Sequence, residues 1–187
     1  MKDSLNGRST IRKKIAFMIL LLAALLMAQT EKKQDAWNPI RFLVGVWEGK
    51  GEGKSGVSVV RYDFLFIMKE RFLHMKTKAI FEPQEKNPKG EVHEDWGIFS
   101  YDQSRKKIVF RQFHIEGFIN QYVLEKISDN GKTLVFVTEQ IENAPPGLQA
   151  KLTFKALNVD TLEVNFDLAF PGKDFDCYSL NVVKRKK

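Results

Sequence analysis

From residue 42 onward, apolar and polar residues alternate along this 187-residue chain with a period of two. That period places successive side chains on opposite faces of a strand, so that one face of each segment can pack inward. No segment after residue 28 shows the 3.6-residue period of an amphipathic helix. The alternating segments cover 42–53, 57–67, 73–81, 92–101, 106–114, 118–127, 132–142, 148–156, 162–168 and 176–184.

Short polar connections separate these segments, as expected for strands that are joined by hairpins. Ser128-Asp129-Asn130-Gly131 contains Asn-Gly, a strong hairpin signal, and Asp102-Gln103-Ser104-Arg105 joins two further segments. A row of consecutive strands has two open edges, and closure into a barrel removes both. We therefore predict an all-β fold, an antiparallel up-and-down barrel of about ten strands, with a short N-terminal helical turn within 36–43.

The first strand carries an unusual run of glycines around a tryptophan. Gly45 and Trp47 open the strand, and Gly49, Gly51 and Gly53 then leave one of its faces without side chains. Glycine allows a tight entry angle or the close approach of another backbone, and an indole can fill the narrow floor of a barrel. We predict that Trp47 plugs the closed end. The alternative is a glycine-rich edge strand with an ordinary core tryptophan.

The first 28 residues differ from the rest of the chain. Residues 1–14 are basic, and residues 15–28 form an unbroken apolar run of 14 residues. A membrane span needs about 20 apolar residues, so the run is better explained as the core of a signal peptide. The predicted organisation is a signal peptide at 1–28, a loose lead with a helical turn at 29–41, and a barrel at 42–187. The predicted location is periplasmic or secreted, or membrane-anchored if the leader is not cleaved.

Charge and cysteine content exclude several classes of function. The leader carries five positive charges and one negative charge, so about +3 of the formal +7 remains after its removal. This small excess argues against a nucleic-acid partner, and loss of the leader argues against stable membrane association. The single cysteine, Cys177, excludes an internal disulfide and a cysteine-based zinc site.

Two histidines on neighbouring strands are candidate metal ligands. If Asp102–Arg105 closes the hairpin, His93 lies opposite His114, and Glu91 lies opposite Glu116. Two imidazoles with carboxylates nearby could hold zinc or copper, or could perform acid–base chemistry. The alternative is a set of polar residues at the rim of the barrel. In the same register Asp95 faces Gln112.

The glycines around Trp47 belong to a longer pattern. The pattern continues with Tyr62, Phe72-Leu73-x-Met75, Glu94-x-x-Gly97 and His114-x-x-Gly117. It ends with Tyr178-Ser-Leu-Asn-Val-Val-Lys-Arg185. The pattern resembles that of the nitrobindin-like proteins, ten-stranded calycin barrels that are related to fatty-acid-binding proteins and lipocalins.

The resemblance implies a ferric haem that is held by a histidine of the last strand, with nitric oxide and peroxynitrite chemistry. Tyr178 stands at the position of that histidine, and strand parity places it inward with Leu180 and Val182. Tyr178 and His114 are therefore the candidate residues for binding haem b. A cation should also cover Trp47: parity favours Lys184 and the resemblance favours Arg185.

The inward faces suggest a binding protein. The candidate ligand-binding residues are Tyr62, Phe64, Phe66, Met75, Phe81, Phe154, Phe166 and Tyr178. No nucleophile motif is present, so no catalytic residue is assigned and catalysis is not required. We expect an exported barrel that binds a small apolar or amphipathic molecule without a cofactor. The alternatives are a haem-binding nitrobindin-like protein and a filled barrel that acts through its surface.

Overall fold

A computed structural model of the protein describes residues 35–187, and these residues form a closed antiparallel barrel of ten strands. Each strand pairs with the next one along the chain, and the last strand pairs with the first. The prediction of an all-β barrel is confirmed. The strands are β1 (Gly45–Gly53), β2 (Gly56–Ile67), β3 (Phe72–Phe81), β4 (Glu91–Asp102), β5 (Lys107–His114), β6 (Ile119–Ile127), β7 (Thr133–Glu142), β8 (Gln149–Asn158), β9 (Thr161–Ala169) and β10 (Asp176–Arg185).

One end of the barrel is closed by a short 3-10 helix, Asn38–Leu43, which is the predicted helical turn. Ile40 and Leu43 of this helix are fully buried. Trp47 is also buried, and its indole Nε1 donates a hydrogen bond of 2.7 Å to the carbonyl oxygen of Leu43. The helix and the indole therefore form one packed floor, which satisfies the only polar atom of the tryptophan side chain.

The glycines of β1 admit the backbone of β10. A Cβ atom placed on Gly49 would lie 2.7 Å from the Cα atom of Val183, closer than real Cβ atoms come to other atoms. Gly45 has a φ of +122°, a conformation that residues with a side chain rarely adopt. The sequence pattern at β1 is thus explained by close strand approach and by a strained entry from the helix.

A group of stacked aromatic rings fills the barrel above its floor. Phe99 and Phe110 stack with their ring centroids 4.0 Å apart, and Phe136 and Phe154 contact Phe99 edge-on or tilted. Tyr122 stacks on the other side of Phe110. All five rings are fully buried, so this half of the barrel is a solid core.

The parity that was predicted for β10 is wrong over most of the strand. Val183 is fully buried whereas Val182 is 43% exposed, so the inward face carries the odd-numbered residues and Leu180 and Val182 do not belong to it. The register of β9 and β10 shifts between Cys177 and Ser179, and this bulge reverses the alternation.

The shift also decides which cation covers Trp47. The guanidinium carbon of Arg185 lies 4.0 Å from the centre of the indole, and Arg185 pairs with Trp47 across the strands. Lys184, which parity favoured, is exposed on the outer face and pairs with Glu48. The choice made by resemblance is therefore correct here, and the choice made by parity is wrong.

The hairpin between β4 and β5 has a different register from the predicted one. Asp102 pairs with Lys107 and Asp95 pairs with His114, so His93 does not lie opposite His114. The four-residue loop lies one residue farther along the chain than predicted, at 103–106, and the Asp102 carboxylate before it accepts hydrogen bonds from the Ser104 backbone and hydroxyl. Lys106 then takes a positive φ of 53°. The error is two residues, which keeps every side chain on its predicted face.

The described residues were also compared with the requirements for a membrane-spanning helix. Within residues 35–187, no helix has both the length and the apolar character that crossing a membrane would need. The predicted signal peptide at 1–28 lies outside the described residues, and its cleavage stays a prediction.

Candidate functional site

The half of the barrel farthest from the floor encloses a cavity of about 440 Å³. Ligand pockets for small molecules commonly have volumes of roughly 300–1,000 Å³, so the cavity is large enough for one such molecule. Two kinds of wall surround it. Strands β3, β8 and β9 contribute mainly apolar side chains, whereas β4, β5 and the start of β6 contribute polar ones. Strands β2 and β10 contribute side chains of both kinds.

Most of the predicted ligand-binding residues line this cavity. The residues that do so are Tyr62, Met75, Phe81, Phe154, Phe166 and Tyr178. Phe64 does not line it, because its ring is buried in the aromatic core between Tyr62, Phe99 and Phe154. Phe66 does not line it either, because it packs against Trp37 at the floor with Arg41 over its ring. Whether the lining residues bind a ligand stays a prediction.

Asp95 is the centre of the polar wall. Its side chain is only 5% exposed, and its Oδ2 atom accepts a hydrogen bond of 2.9 Å from Gln112 Nε2. Its Oδ1 atom lies 2.9 Å from His93 Nε2 and 3.1 Å from His114 Nδ1. The two predicted histidines are thus brought together on one carboxylate, with their ring centroids 6.4 Å apart.

Each imidazole also has a second polar neighbour. His93 Nδ1 lies 3.0 Å from Glu116 Oε1 and 3.5 Å from Glu91 Oε1, near the mouth. His114 Nε2 lies 3.0 Å from the side-chain nitrogen of Asn120, which in turn donates to the Tyr122 hydroxyl at 2.9 Å. These neighbours hold both rings in place from the side away from Asp95.

The charges of this cluster shift the pKa values of its members. Burial alone would raise the pKa of the Asp95 carboxyl, but its contacts with His114 and His93 outweigh burial and lower that pKa. The contact with Asp95 raises the pKa of His93 to about 9, against the opposing effect of the burial of the ring. At neutral pH, and with no metal ion bound, His93 and Asp95 therefore carry opposite charges.

Three buried polar atoms that line the cavity have no hydrogen-bond partner among the described residues. They are Thr77 Oγ1, Asp95 Oδ1 and Gln112 Oε1. Thr77 pairs with Asp95 across β3 and β4, so that two of these residues are direct neighbours. For Asp95 Oδ1 the two imidazole nitrogens are near enough, but neither N–H direction gives a hydrogen bond. An unsatisfied buried polar group costs about 1–3 kcal/mol, so a hydrogen-bonding group placed in this part of the cavity would stabilise the wall.

Sequence reasoning named Asp95, Gln112 and Glu116 only as neighbours of the two histidines, and it missed Asn120. A signal for two of them was present, because Asp95 shares its strand face with Phe99, and Gln112 shares its face with Phe110. A polar residue that continues an inward apolar face is a stronger indication of a site than a histidine taken alone. Glu116 follows β5 in a turn, where strand periodicity gives no indication.

Tyr178 lies at the mouth of the cavity rather than deep inside it. Its side chain is 39% exposed, and its ring contacts Phe166 with the centroids 5.8 Å apart. Its hydroxyl has no hydrogen bond or ion pair to any described residue. A phenolate that ligates ferric haem needs a neighbouring positive charge. Lys54 adjoins Tyr178, because its backbone N–H donates to the Tyr178 carbonyl oxygen, but its Nζ is paired with Asp176 at 2.7 Å. These surroundings fit haem ligation by Tyr178 poorly.

Comparison with known proteins supports the fold class. No family model matches the chain, and no curated protein matches it. A crystal structure of Rv2717c from M. tuberculosis superimposes on it with a TM-score of 0.61, at 18% sequence identity, over 81% of this chain and 98% of that chain. At this identity the likeness shows a shared barrel fold, and it does not extend to the nitrobindin-like assignment.

Proposed function

We propose that the cavity binds one small amphipathic molecule, with its apolar part against β3, β8 and β9 and its polar group against β4 and β5. The observation that carries this proposal is a cavity of about 440 Å³ whose walls are apolar on one side and polar on the other. A purely apolar ligand would leave the buried polar atoms of the second wall unsatisfied.

The unsatisfied atoms indicate the chemistry of the polar group. Gln112 Oε1 can only accept a hydrogen bond, and Thr77 Oγ1 can donate or accept one. A hydroxyl, amide or amine group in the ligand would satisfy both. Each hydrogen bond regained in this way is worth about 0.5–1.5 kcal/mol, in addition to the burial of the apolar part.

The test uses N-phenyl-1-naphthylamine, a neutral aromatic probe with one N–H donor, whose fluorescence rises in apolar surroundings. Ala79 is buried, lines the cavity and is small, so Ala79→Phe should fill the space that the probe needs. Ile80→Phe is the matched control, because Ile80 is the next residue of β3 and lies 37% exposed on the outer face.

We expect saturable binding of one equivalent by the unaltered protein and by Ile80→Phe, and at least a tenfold loss of affinity in Ala79→Phe. Equal affinity in both variants would mean that the probe binds outside the barrel and that the proposal is wrong. Unfolding midpoints of the three proteins show whether the fold is intact, and mass spectrometry of copurified molecules then identifies the natural ligand.

The two alternatives give different results in the same samples. A filled barrel that acts through its surface would bind no probe, and the cavity already argues against a filled mouth half. A haem protein would take up one equivalent of hemin and show a Soret band. We expect no such band, because the charge of Lys54, which adjoins Tyr178, is already paired with Asp176 and is not free to stabilise an iron-bound phenolate.

A further inference from the structure

We infer that His93, Asp95 and His114 form a binding site for one divalent transition-metal ion on the polar wall, whatever the cavity binds. One ligand atom from each of these residues, together with one from Glu116, lies within 4.8 Å of all the others. Two imidazoles and a carboxylate form a donor set that suits zinc and its neighbours in the first transition row.

The distances between the donor atoms fit a shared ion. Asp95 Oδ1 lies 2.9 Å from His93 Nε2 and 3.1 Å from His114 Nδ1. Nitrogen and oxygen ligands lie about 2.0–2.2 Å from zinc, so neighbouring ligand atoms around one ion are separated by roughly 3 Å. The two separations from Asp95 Oδ1 are therefore those of atoms that coordinate one ion.

The directions of the donor groups separate a metal site from a plain ion pair. In an ion pair, the imidazole N–H points at the carboxylate oxygen and makes a hydrogen bond. Asp95 is 95% buried, yet its Oδ1 atom receives no hydrogen bond from any described residue. Ligands of a common ion direct their lone pairs at a point between them, which leaves their mutual contacts short and misaligned.

The surrounding residues would orient these ligands. Gln112 Nε2 donates to the other oxygen of Asp95 at 2.9 Å, and Glu116 Oε1 lies 3.0 Å from the second nitrogen of His93. A carboxylate behind a ligating histidine is a recurrent feature of zinc sites, because it fixes the ring and strengthens its donor nitrogen. Asn120 lies behind His114 and would turn its amide oxygen towards Nε2 when Nδ1 binds the ion.

The site is built into the wall of the barrel and opens towards the cavity. The ligands lie on β4 and β5, and all of them line the cavity. Three protein ligands leave at least one coordination position for water or for a group of a bound molecule. The third histidine, His74, points away from this site and packs against Trp96 on the outer face of the barrel.

The test is metal uptake by the protein expressed from the full chain, without a histidine tag and with Cys177→Ser so that no thiol competes. Titration calorimetry with Zn²⁺ should show one site, and His93→Gln and His114→Gln should each weaken binding at least tenfold. His74→Gln is the matched control and should leave the affinity unchanged. Glu116→Gln should have a smaller effect than either ligand variant.

Two outcomes would overturn the inference. One is the absence of Zn²⁺ binding at 100 µM or below, about the upper limit for a built site, and the other is equal affinity in His114→Gln and His74→Gln. If a ligand variant does not fold, electron paramagnetic resonance of the unaltered protein with one equivalent of Cu²⁺ decides the question. Coupling to two imidazole nitrogens would support the site, and its absence would refute it.

Discussion

The two halves of this barrel are built from the same strands but differ in what those strands direct inward. Near the floor, β4 and β5 contribute Phe99 and Phe110, which stack at 4.0 Å in a core without exposed surface. Nearer the mouth the same two strands contribute His93, Asp95 and His114, which surround a cavity. Alternation continues unchanged along each strand, so the difference comes from the choice of residues on one face.

This difference suggests that the floor half mainly stabilises the fold, whereas the mouth half provides the candidate site. The floor half satisfies its polar atoms, as Trp47 does through the Leu43 carbonyl, and buries its aromatic rings completely. The mouth half leaves three buried polar atoms unsatisfied and leaves space empty. Natural proteins depart from good packing chiefly at functional sites, and the rest of the structure compensates for the cost. Substitutions of the same kind should therefore have unequal effects in the two halves.

The largest contrast is expected between Phe99→Ala and Phe166→Ala. Phe99 is fully buried and touches four other rings, so its removal should lower the free energy of unfolding by about 3–5 kcal/mol. Phe166 borders the existing cavity and is half-buried, so its removal should cost about 1 kcal/mol. Urea unfolding measures both. Similar losses would show that the mouth half is packed as tightly as the floor.

The second contrast compares the stability effects of two neighbouring residues of β10, Arg185 at the floor and Lys184 on the outer face. Arg185 covers Trp47 and donates to the carbonyl oxygens of Val44 and Phe42 at 2.5 and 2.9 Å. Arg185→Ala removes these interactions and should cost about 2–3 kcal/mol. Lys184→Ala, one residue away on the outer face, should change stability by less than about 0.5 kcal/mol. An equal effect of both changes would contradict the role of Arg185 at the floor.

Much of the fold follows from local patterns. All ten strands were predicted within a few residues, because each has one apolar face and ends at a turn sequence. The errors arise where a single residue alters the register. The bulge between Cys177 and Ser179 has no signal in composition, and it reverses the parity of Leu180, Val182 and Lys184.

The candidate site was predictable only in part. His93 and His114 were expected to meet, and they do, because an error of two residues keeps them on one face. The central role of Asp95 depends on the shifted hairpin register, which places it opposite His114. That hairpin is held by the Asp102 side chain and requires a positive φ at Lys106. Lysine rarely adopts a positive φ, so its presence in the sequence does not predict this conformation.

The smallest contrast concerns two tyrosine hydroxyls and also decides the question of haem. Tyr122 is fully buried and its hydroxyl accepts a hydrogen bond of 2.9 Å from Asn120, so Tyr122→Phe should cost about 1–2 kcal/mol. The Tyr178 hydroxyl has no partner among the described residues, so Tyr178→Phe should change stability by less than about 0.5 kcal/mol.

The same Tyr178→Phe variant keeps the aromatic ring at the mouth and removes only the oxygen that could ligate iron. If the cavity binds an amphipathic molecule, the binding free energy of the probe should change by at most the contribution of one hydrogen bond, about 0.5–1.5 kcal/mol. Ligation of ferric haem would require that oxygen, so hemin binding would then be abolished. Absorbance titration with hemin measures the difference. Tight uptake of one equivalent by the unaltered protein, lost in Tyr178→Phe, would replace the amphipathic ligand with haem and would make the mouth half a cofactor site.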